Sequence, residues 1–365
     1  MFRRPMTRLA IAAAAAGTIC ALGASAASAA PHATWSGGRT VPGAITNNSP
    51  AVSSIAFPPA VAHGQGQIVG WRARGPAGRI AYKYKVPGLN GGNWSATGHV
   101  PGDTSSAPAF ASYTDPLGHP AVLAVWTGPA DHHIWFSQGE TRANGTISWT
   151  KEAPLPSSVA DTNTTNGPSV LFLNHAFRVV IAWRGPANHV RYTIGKPVRR
   201  TFVFSDSTVV TGPTVTPNCK NLGAGPAPCT GNTPALAEMN ANATTGTVYF
   251  FWRQLGTKVV AYGTAADTTA GLGAAAFVNT VPGAATTEGP AASDLGIDGF
   301  KPLLLAYKAP FSTAVHFQTF DGVTWSAAAA VPHTHTAVAP ALLLNELATT
   351  TPATDGNIVL HHFSP

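Results

Sequence analysis

The sequence predicts an all-β protein, and more specifically a six-bladed β-propeller of four-stranded blades. Three observations carry this prediction. The chain of 365 residues is 44% hydrophobic but only 10% charged, with 37 glycines and 31 prolines, which is typical of turn-rich β proteins. A segment of about 60 residues recurs along the chain, and the two ends of the chain complement each other as parts of one repeat.

The repeat is clearest in three segments, GPAGRIAY at 75–82, WTGPADHHIWF at 126–136 and WRGPANHVRY at 183–192. Each joins an apolar run to Gly-Pro-Ala, then a polar pair, Ile or Val, and an aromatic. A proline followed by an apolar segment starts each unit. Six starts lie 58, 60, 66, 56 and 50 residues apart, at Pro50, Pro108, Pro168, Pro234, Pro290 and Pro340. Each interval accommodates four short strands, labelled A to D from the axis outward, as a propeller blade requires.

The chain ends predict how the ring closes. The last unit lacks its final strand, whereas residues 33–43, ATWSGGRTVPG, match the Trp-to-Val-Pro fourth strand of the other units. The N-terminal strand is therefore expected to complete the last blade, which removes an open edge. A seven-bladed ring with one degenerate blade is the alternative fold. A β-sandwich fits less well because six in-phase units are too many for it.

The N-terminus predicts export from the cell. Residues 1–30 carry three arginines, an Ala-rich apolar run and a final Ala-Ser-Ala-Ala, the pattern of a secretory signal cleaved near Ala30. The mature part, residues 31–365, is then a single propeller domain. The Arg3-Arg4 pair resembles a twin-arginine signal, but the following residues fit that motif poorly and favour the general secretory route. No later apolar run reaches the ~18 residues of a membrane span, so no membrane insertion is expected.

Charge and cysteine usage narrow the function classes. Without the three arginines of the signal, 19 basic and 15 acidic residues remain, a net charge of about +4, and no basic run interleaved with aromatics predicts nucleic-acid binding. Cys219 and Cys229 bracket a Gly/Pro-rich loop, and in an exported protein they predict a disulfide. Neither a CxxC nor a Cys-His metal spacing occurs, and we predict no metal ion and no cofactor.

Strand reversals place the B–C turns and the D–A connections on one face of the disc, here the B–C face. The Gly-Pro-Ala tips lie on that face, and loops on a rigid scaffold commonly carry binding residues. A solvated turn is the competing interpretation of these polar tips. Trp135 is the preferred ligand contact because the other units have no Trp at its position, and aromatic faces stack on sugar rings. The predicted binding residues are Trp135, Asp131, His132, His133, Arg79 and His189.

The other tryptophans recur from unit to unit, which indicates packing between blades and not ligand binding. They end strand B at Trp71, Trp126, Trp183 and Trp252, and lie in strand D at Trp94, Trp149 and Trp325.

These repeats, with the Asp321-Gly322-Val323-Thr324-Trp325 segment, resemble bacterial and tectonin-type β-propeller lectins, and more weakly the Asp-box of sialidase-like propellers. That box has one more residue between its Asp and Gly, and here the segment occurs once. The resemblance implies glycan binding at or between blades. We therefore predict a secreted, non-catalytic, lectin-like protein whose partner is a glycan or polysaccharide.

Two alternatives to the lectin interpretation stay open, a polysaccharide-active glycoside hydrolase-like propeller and a protein-interaction scaffold with a secreted partner. A glycosidase needs two tuned carboxylates. No motif selects such a pair, so no catalytic residue is predicted, although Glu238 lies within an otherwise apolar strand A segment.

Overall fold

The computed structural model shows six antiparallel sheets, one for each predicted blade. It describes residues 34–59, 64–173, 175–198, 201–212, 229–240, 244–295, 302–352 and 355–364. Residues 34–364 form one compact unit. The predicted signal and Cys219 lie outside the described residues, so export and the disulfide stay predictions. Among the described residues, no helix has both the length and the apolar character of a membrane span.

Blades 1 to 3 follow the predicted order A to D. Blade 1 consists of β3 (Ala51–Ile55), β4 (Gly66–Arg72), β5 (Arg79–Lys85) and β6 (Gly98–Asp103). Blade 2 consists of β7 (Ala109–Thr114), β8 (Pro120–Thr127), β9 (Ile134–Thr141), β10 (Ile147–Trp149) and β11 (Ala153–Pro154). Blade 3 consists of β12 (Ser169–Leu173), β13 (Arg178–Arg184), β14 (Val190–Val198), β15 (Thr201–Phe204) and β16 (Thr208–Val209).

Blades 4 to 6 repeat this order. Blade 4 consists of β17 (Ala235–Asn240), β18 (Thr245–Arg253), β19 (Val259–Thr268), β20 (Gly271–Leu272) and β21 (Ala276–Ala285). Blade 5 consists of β22 (Ala291–Asp294), β23 (Leu303–Lys308), β24 (Ala314–Phe320) and β25 (Ala329–His335). Blade 6 consists of β26 (Ala341–Leu343), β27 (Glu346–Thr350), β28 (Asn357–Ser364), β1 (Thr34–Trp35) and β2 (Arg39–Ile45). Two short 3-10 turns are Asn90–Gly92 and Pro186–Asn188.

The ring closes as the sequence predicts. Strands β1 and β2, from the N-terminal segment, both pair with β28 at the end of the chain, with Trp35 opposite Phe363. The inner strands β3, β7, β12, β17, β22 and β26 contact one another in turn, and the last contacts the first. The ring therefore has six blades and not seven.

Each pair of neighbouring blades encloses its own hydrophobic core, giving six clusters among the described residues. The strand B tryptophans are buried in these cores, with Trp183 and Trp252 fully inaccessible. Trp149 of blade 2 packs edge-on against Tyr82 of blade 1, with ring centroids 5.6 Å apart. The repeated tryptophans are thus interblade packing residues, as predicted.

A buried threonine four residues before each start proline fixes the D–A connection. The six are Thr46, Thr104, Thr164, Thr230, Thr286 and Thr336. In the first five, the threonine hydroxyl accepts a hydrogen bond from the backbone N–H two residues later, and Thr336 donates to the Val338 carbonyl. Such local bonds satisfy backbone groups where the chain leaves one sheet for the next. All six start prolines consequently line one axial opening on the B–C face.

His361 in blade 6 makes folding stability depend on pH. The ring is buried, with Nδ1 3.3 Å from the Thr334 hydroxyl and Nε2 3.3 Å from the Thr349 hydroxyl. Burial lowers the pKa of His361, so the unfolded chain takes up a proton, near pH 6.5, before the folded chain does. Stability is therefore lost as the pH falls below about 6.5, by up to about 1.4 kcal/mol per pH unit from this group.

The free energy of unfolding, measured by urea titration at pH 7.5 and 5.5, checks this prediction. His361→Gln should show a smaller loss between the two pH values than the wild type. His362→Gln is the matched control, since the neighbouring ring is half-exposed and pairs with Glu346 at 2.9 Å. An unchanged pH dependence in His361→Gln would contradict the assignment.

Candidate functional site

A cleft between blades 2 and 3 brings together three of the predicted binding residues on the B–C face. Its volume is about 540 Å³. The cleft, here the interblade cleft, is lined by Asp131, His133, Trp135, Pro154, Leu155, Pro156, Ser157, Val159, Ala160, Asp161, Thr162, Asn163 and Pro186. The B–C turn of blade 2, its D–A connection and the tip of blade 3 thus supply the walls.

Hydrogen bonds to Asp131 hold the indole of Trp135 in place beside Gly128. The indole Nε1 donates to both carboxylate oxygens of Asp131, at 3.3 and 3.1 Å. A Cβ at Gly128 would lie 2.3 Å from Asp131 Oδ1 and 2.7 Å from Trp135 Nε1, so only glycine leaves room for this pair. Trp135 is half-buried, and one part of its ring remains accessible to a ligand.

The glycine of the repeated Gly-Pro-Ala has the same role in blade 3. Trp135 pairs with Trp126 across the sheet, and Arg191 occupies the matching position opposite Trp183. A Cβ at Gly185 would lie 2.5 Å from Arg191 Cδ. The Gly-Pro-Ala turn therefore leaves room for a large side chain from strand C. In blade 2 this side chain is the indole of Trp135.

The two histidines of the tip have different environments. His133 Nδ1 lies 2.7 Å from the Thr162 hydroxyl, which joins the B–C turn to the D–A connection. The His132 backbone has a φ of 57°, and its carbonyl accepts a bond from the Thr164 N–H. The His132 side chain is exposed and does not line the cleft, so its main role in this structure is to shape the turn.

On the blade 3 side of the cleft, a positive charge is paired with a negative one. Arg191 forms an ion pair with Asp161 and also donates to the Ser207 hydroxyl at 2.9 Å. The carboxylate of Asp206 accepts hydrogen bonds from the backbone N–H groups of Ala160 and Ser207, and these bonds lower its pKa. The bond from Ala160 joins the D–A connection of blade 2 to blade 3. The guanidinium of Arg191 is therefore already paired with a carboxylate that lines the cleft.

The remaining predicted binding residues lie elsewhere. Arg79 is exposed at the start of β5 in blade 1 and does not line the interblade cleft. His189 follows the tip of blade 3, where it forms a bridge with Cys229. Burial lowers the pKa of His189, with a smaller effect from Arg191. Neither residue is brought into contact with Trp135.

A second cavity, of about 460 Å³, lies on the axis and is here called the axial chamber. The residue four positions after each start proline faces it. These six residues are Ser54, Ser112, Phe172, Glu238, Asp294 and Leu344. Ser54 and Ser112 share a hydrogen bond between their hydroxyls. The chamber thus presents two carboxylates among small polar and apolar groups.

Glu238 also belongs to a buried cluster with His175 and Asp267. One ligand atom from each lies within 4.8 Å of the others, and they form the sole metal-type grouping of His, Cys, Asp or Glu found among the described residues. Burial, and then the adjacent Asp267, raise the pKa of Glu238 to about 7. Glu238 stands out in the sequence as a carboxylate in an apolar strand, but no sequence pattern links it to His175 or Asp267.

No family model and no curated protein sequence matches this chain. Solved structures do match its fold. A SapL1 lectin in complex with alpha methyl fucoside is 13% identical, with a TM-score of 0.51 over 87% of this chain and 92% of that one. The GH93 alpha-L-arabinofuranosidase of Fusarium graminearum, in complex with arabinobiose, is 12% identical, with a TM-score of 0.54 over 86% and 92%.

A sialidase from Trypanosoma rangeli is also similar, at 12% identity and a TM-score of 0.54, with 86% of this chain matching 54% of that one. The similarity thus extends to a lectin and to glycosidases alike. The chain has the six-bladed fold that the sequence predicted, and it resembles propeller lectins and sialidase-like propellers in that fold.

Proposed function

We propose that the protein is a secreted, non-catalytic glycan-binding propeller whose binding site is the interblade cleft. One observation carries the proposal, the accessible indole of Trp135 held by Asp131 at the wall of the cleft. An aromatic face paired with polar groups suits a sugar ring, because the ring stacks on its apolar face while its hydroxyls form hydrogen bonds. Fold similarity to a fucoside-bound lectin supports this class of ligand.

The charges around the cleft favour a neutral glycan. Asp131 and Asp161 both line it, and the neighbouring guanidinium of Arg191 is paired with Asp161. An anionic sugar such as a sialic acid would meet carboxylates without an unpaired cation to bind it, and unfavourable charge contacts discriminate strongly between ligands. His133 and Thr162 offer further hydrogen-bonding groups for hydroxyls.

A glycan array tests the proposal. The purified protein, fluorescently labelled, is expected to bind a subset of neutral glycans and to leave sialylated and sulfated glycans unbound. Uniform signals across neutral and acidic glycans, or no binding above background, would contradict it. Preference for acidic glycans would retain glycan binding but contradict the assignment of the interblade cleft as the site.

Hydrolysis at the axial chamber is the second candidate function, because Glu238 and Asp294 from adjacent inner strands both line it. A glycosidase uses two carboxylates on either side of the scissile bond. Release of a fluorophore from arabinofuranoside and sialoside substrates, abolished by Glu238→Gln and by Asp294→Asn, would favour this candidate. No release from any substrate in the panel would exclude it for those sugars.

A further inference from the structure

Three polar residues from two blades converge beside the axial chamber, and none of them lines the interblade cleft. His175 lies in the A–B turn of blade 3, after β12, while Glu238 and Asp267 come from β17 and β19 of blade 4. Asp267 is paired across the sheet with Gly246, which in turn pairs with Asn240. Because Gly246 has no side chain, Asp267 can reach over the middle strand toward Glu238.

We propose that His175, Glu238 and Asp267 form a binding site for a divalent transition-metal ion such as Zn²⁺. The inference is independent of the glycan proposal. Neutral imidazole and carboxylates are ordinary ligands of Zn²⁺. Three protein ligands leave a further coordination position for water, which is the composition of an open site and not of a closed structural one.

Two of the three distances in the cluster are close to the edges of a coordination polyhedron. His175 Nδ1 lies 3.1 Å from Glu238 Oε1 and 3.3 Å from Asp267 Oδ2. Ligand atoms about 2.0–2.2 Å from a tetrahedral Zn²⁺ are separated from one another by about 3.3–3.6 Å. The ligand atoms of Glu238 and Asp267 lie within 4.8 Å of each other, so side-chain movements of about an ångström would close the cluster around an ion.

Burial and charge supply the independent argument for a cation. Asp267 is fully buried, and apart from the His175 and Glu238 side chains of the cluster no hydrogen-bond partner of its carboxylate oxygens is found among the described residues. Glu238, the second carboxylate, is 5% exposed. Buried carboxylates are costly unless they are paired, hydrogen-bonded or bound to a metal. A divalent ion would neutralise both groups and satisfy the oxygens of Asp267.

The axial chamber gives the ion a way in. Glu238 contacts both the cluster and this chamber, which is open to small solutes and lined by serines and Asp294. A metal-bound water could project from the cluster into the chamber. The competing occupant is a proton shared by the two carboxylates, which would leave the cluster without affinity for metal ions.

Titration of the whole mature protein with metal distinguishes the two occupants. Protein purified without a histidine tag and stripped with EDTA is titrated with ZnCl₂, and separately with MnCl₂, by calorimetry. We expect one Zn²⁺ per chain and a rise in thermal midpoint of about 5 °C at 100 times the Kd. Co²⁺ should give the visible d–d absorption of a four-coordinate site. Absence of stoichiometric uptake by the wild type would overturn the proposal.

Variants then assign the ion to this cluster. Asp267→Asn and His175→Gln should each lose stoichiometric Zn²⁺ binding, whereas Glu346→Gln, at the partly exposed His362–Glu346 pair, should retain it. Circular dichroism establishes that each variant is folded before titration. Retained one-to-one binding in both cluster variants would place the ion elsewhere and overturn the proposal, even if the wild type binds Zn²⁺.

Discussion

Replacing Trp183 by alanine is expected to destabilise the protein by about 3–5 kcal/mol. The indole is fully buried in the core between blades 2 and 3, where it packs with Ile134 and Phe204 among others. Its Nε1 also donates to the Asp161 carbonyl at 2.9 Å. The substitution therefore opens a large cavity and leaves that carbonyl without its partner. Urea denaturation followed by fluorescence measures the change.

Trp135→Ala is the comparison for this loss, because that indole is only partly buried and packs at the margin of the blade 1–2 core, outside the cluster that holds Trp183. Its cost should be smaller than that of Trp183→Ala, since part of the indole is already exposed to solvent and less apolar surface is lost from a core. Equal destabilisation by the two variants, or a loss below about 1.5 kcal/mol for Trp183→Ala, would contradict the role of Trp183 as the packing residue of this interface.

Trp135→Ala is expected instead to weaken glycan binding by roughly 30-fold, or about 2 kcal/mol. The indole supplies the apolar stacking surface of the interblade cleft, and aromatic anchors of this kind dominate binding energies. Calorimetry with the best glycan from the array measures the affinity. Trp135→Phe should lose less, because it keeps a stacking ring while losing the hydrogen bond to Asp131.

Phe311→Ala is the control for the affinity measurement. Phe311 is 86% exposed and contacts Lys258, away from the interblade cleft, so its removal should leave the Kd unchanged. A Trp135→Ala protein that binds with wild-type affinity would show that the ligand occupies another site.

The fold was predictable because the same sequence features recur in every blade or in most of them. Start prolines, Gly-Pro-Ala tips and buried tryptophans occur in phase, and the unmatched strand at residues 34–45 complements the short last unit. The buried threonine four residues before each start proline is an equally regular sequence signal. It would have marked the D–A connections directly, including those of the looser blades 4 to 6.

The site was predictable only where one copy departs from the repeat. Asp131, His133 and Trp135 are close in sequence, so one turn suffices to bring them together. Arg79 belongs to blade 1, which does not border the cleft. His189 follows the blade 3 tip that supplies Pro186 to the cleft, but it bridges to Cys229 and does not line the cleft. The cluster of His175, Glu238 and Asp267 combines a turn with two strands of another blade, and no local pattern encodes that meeting.

The most direct test of glycan binding at the interblade cleft is an NMR titration of the tryptophan indole N–H signals with the neutral glycan selected by the array. The Trp135 signal is assigned from its absence in Trp135→Phe. Binding in the cleft should shift the Trp135 signal in proportion to occupancy, and should leave the buried Trp252, of the blade 3–4 core, unshifted. Saturation by the glycan with an unshifted Trp135 signal would contradict the account.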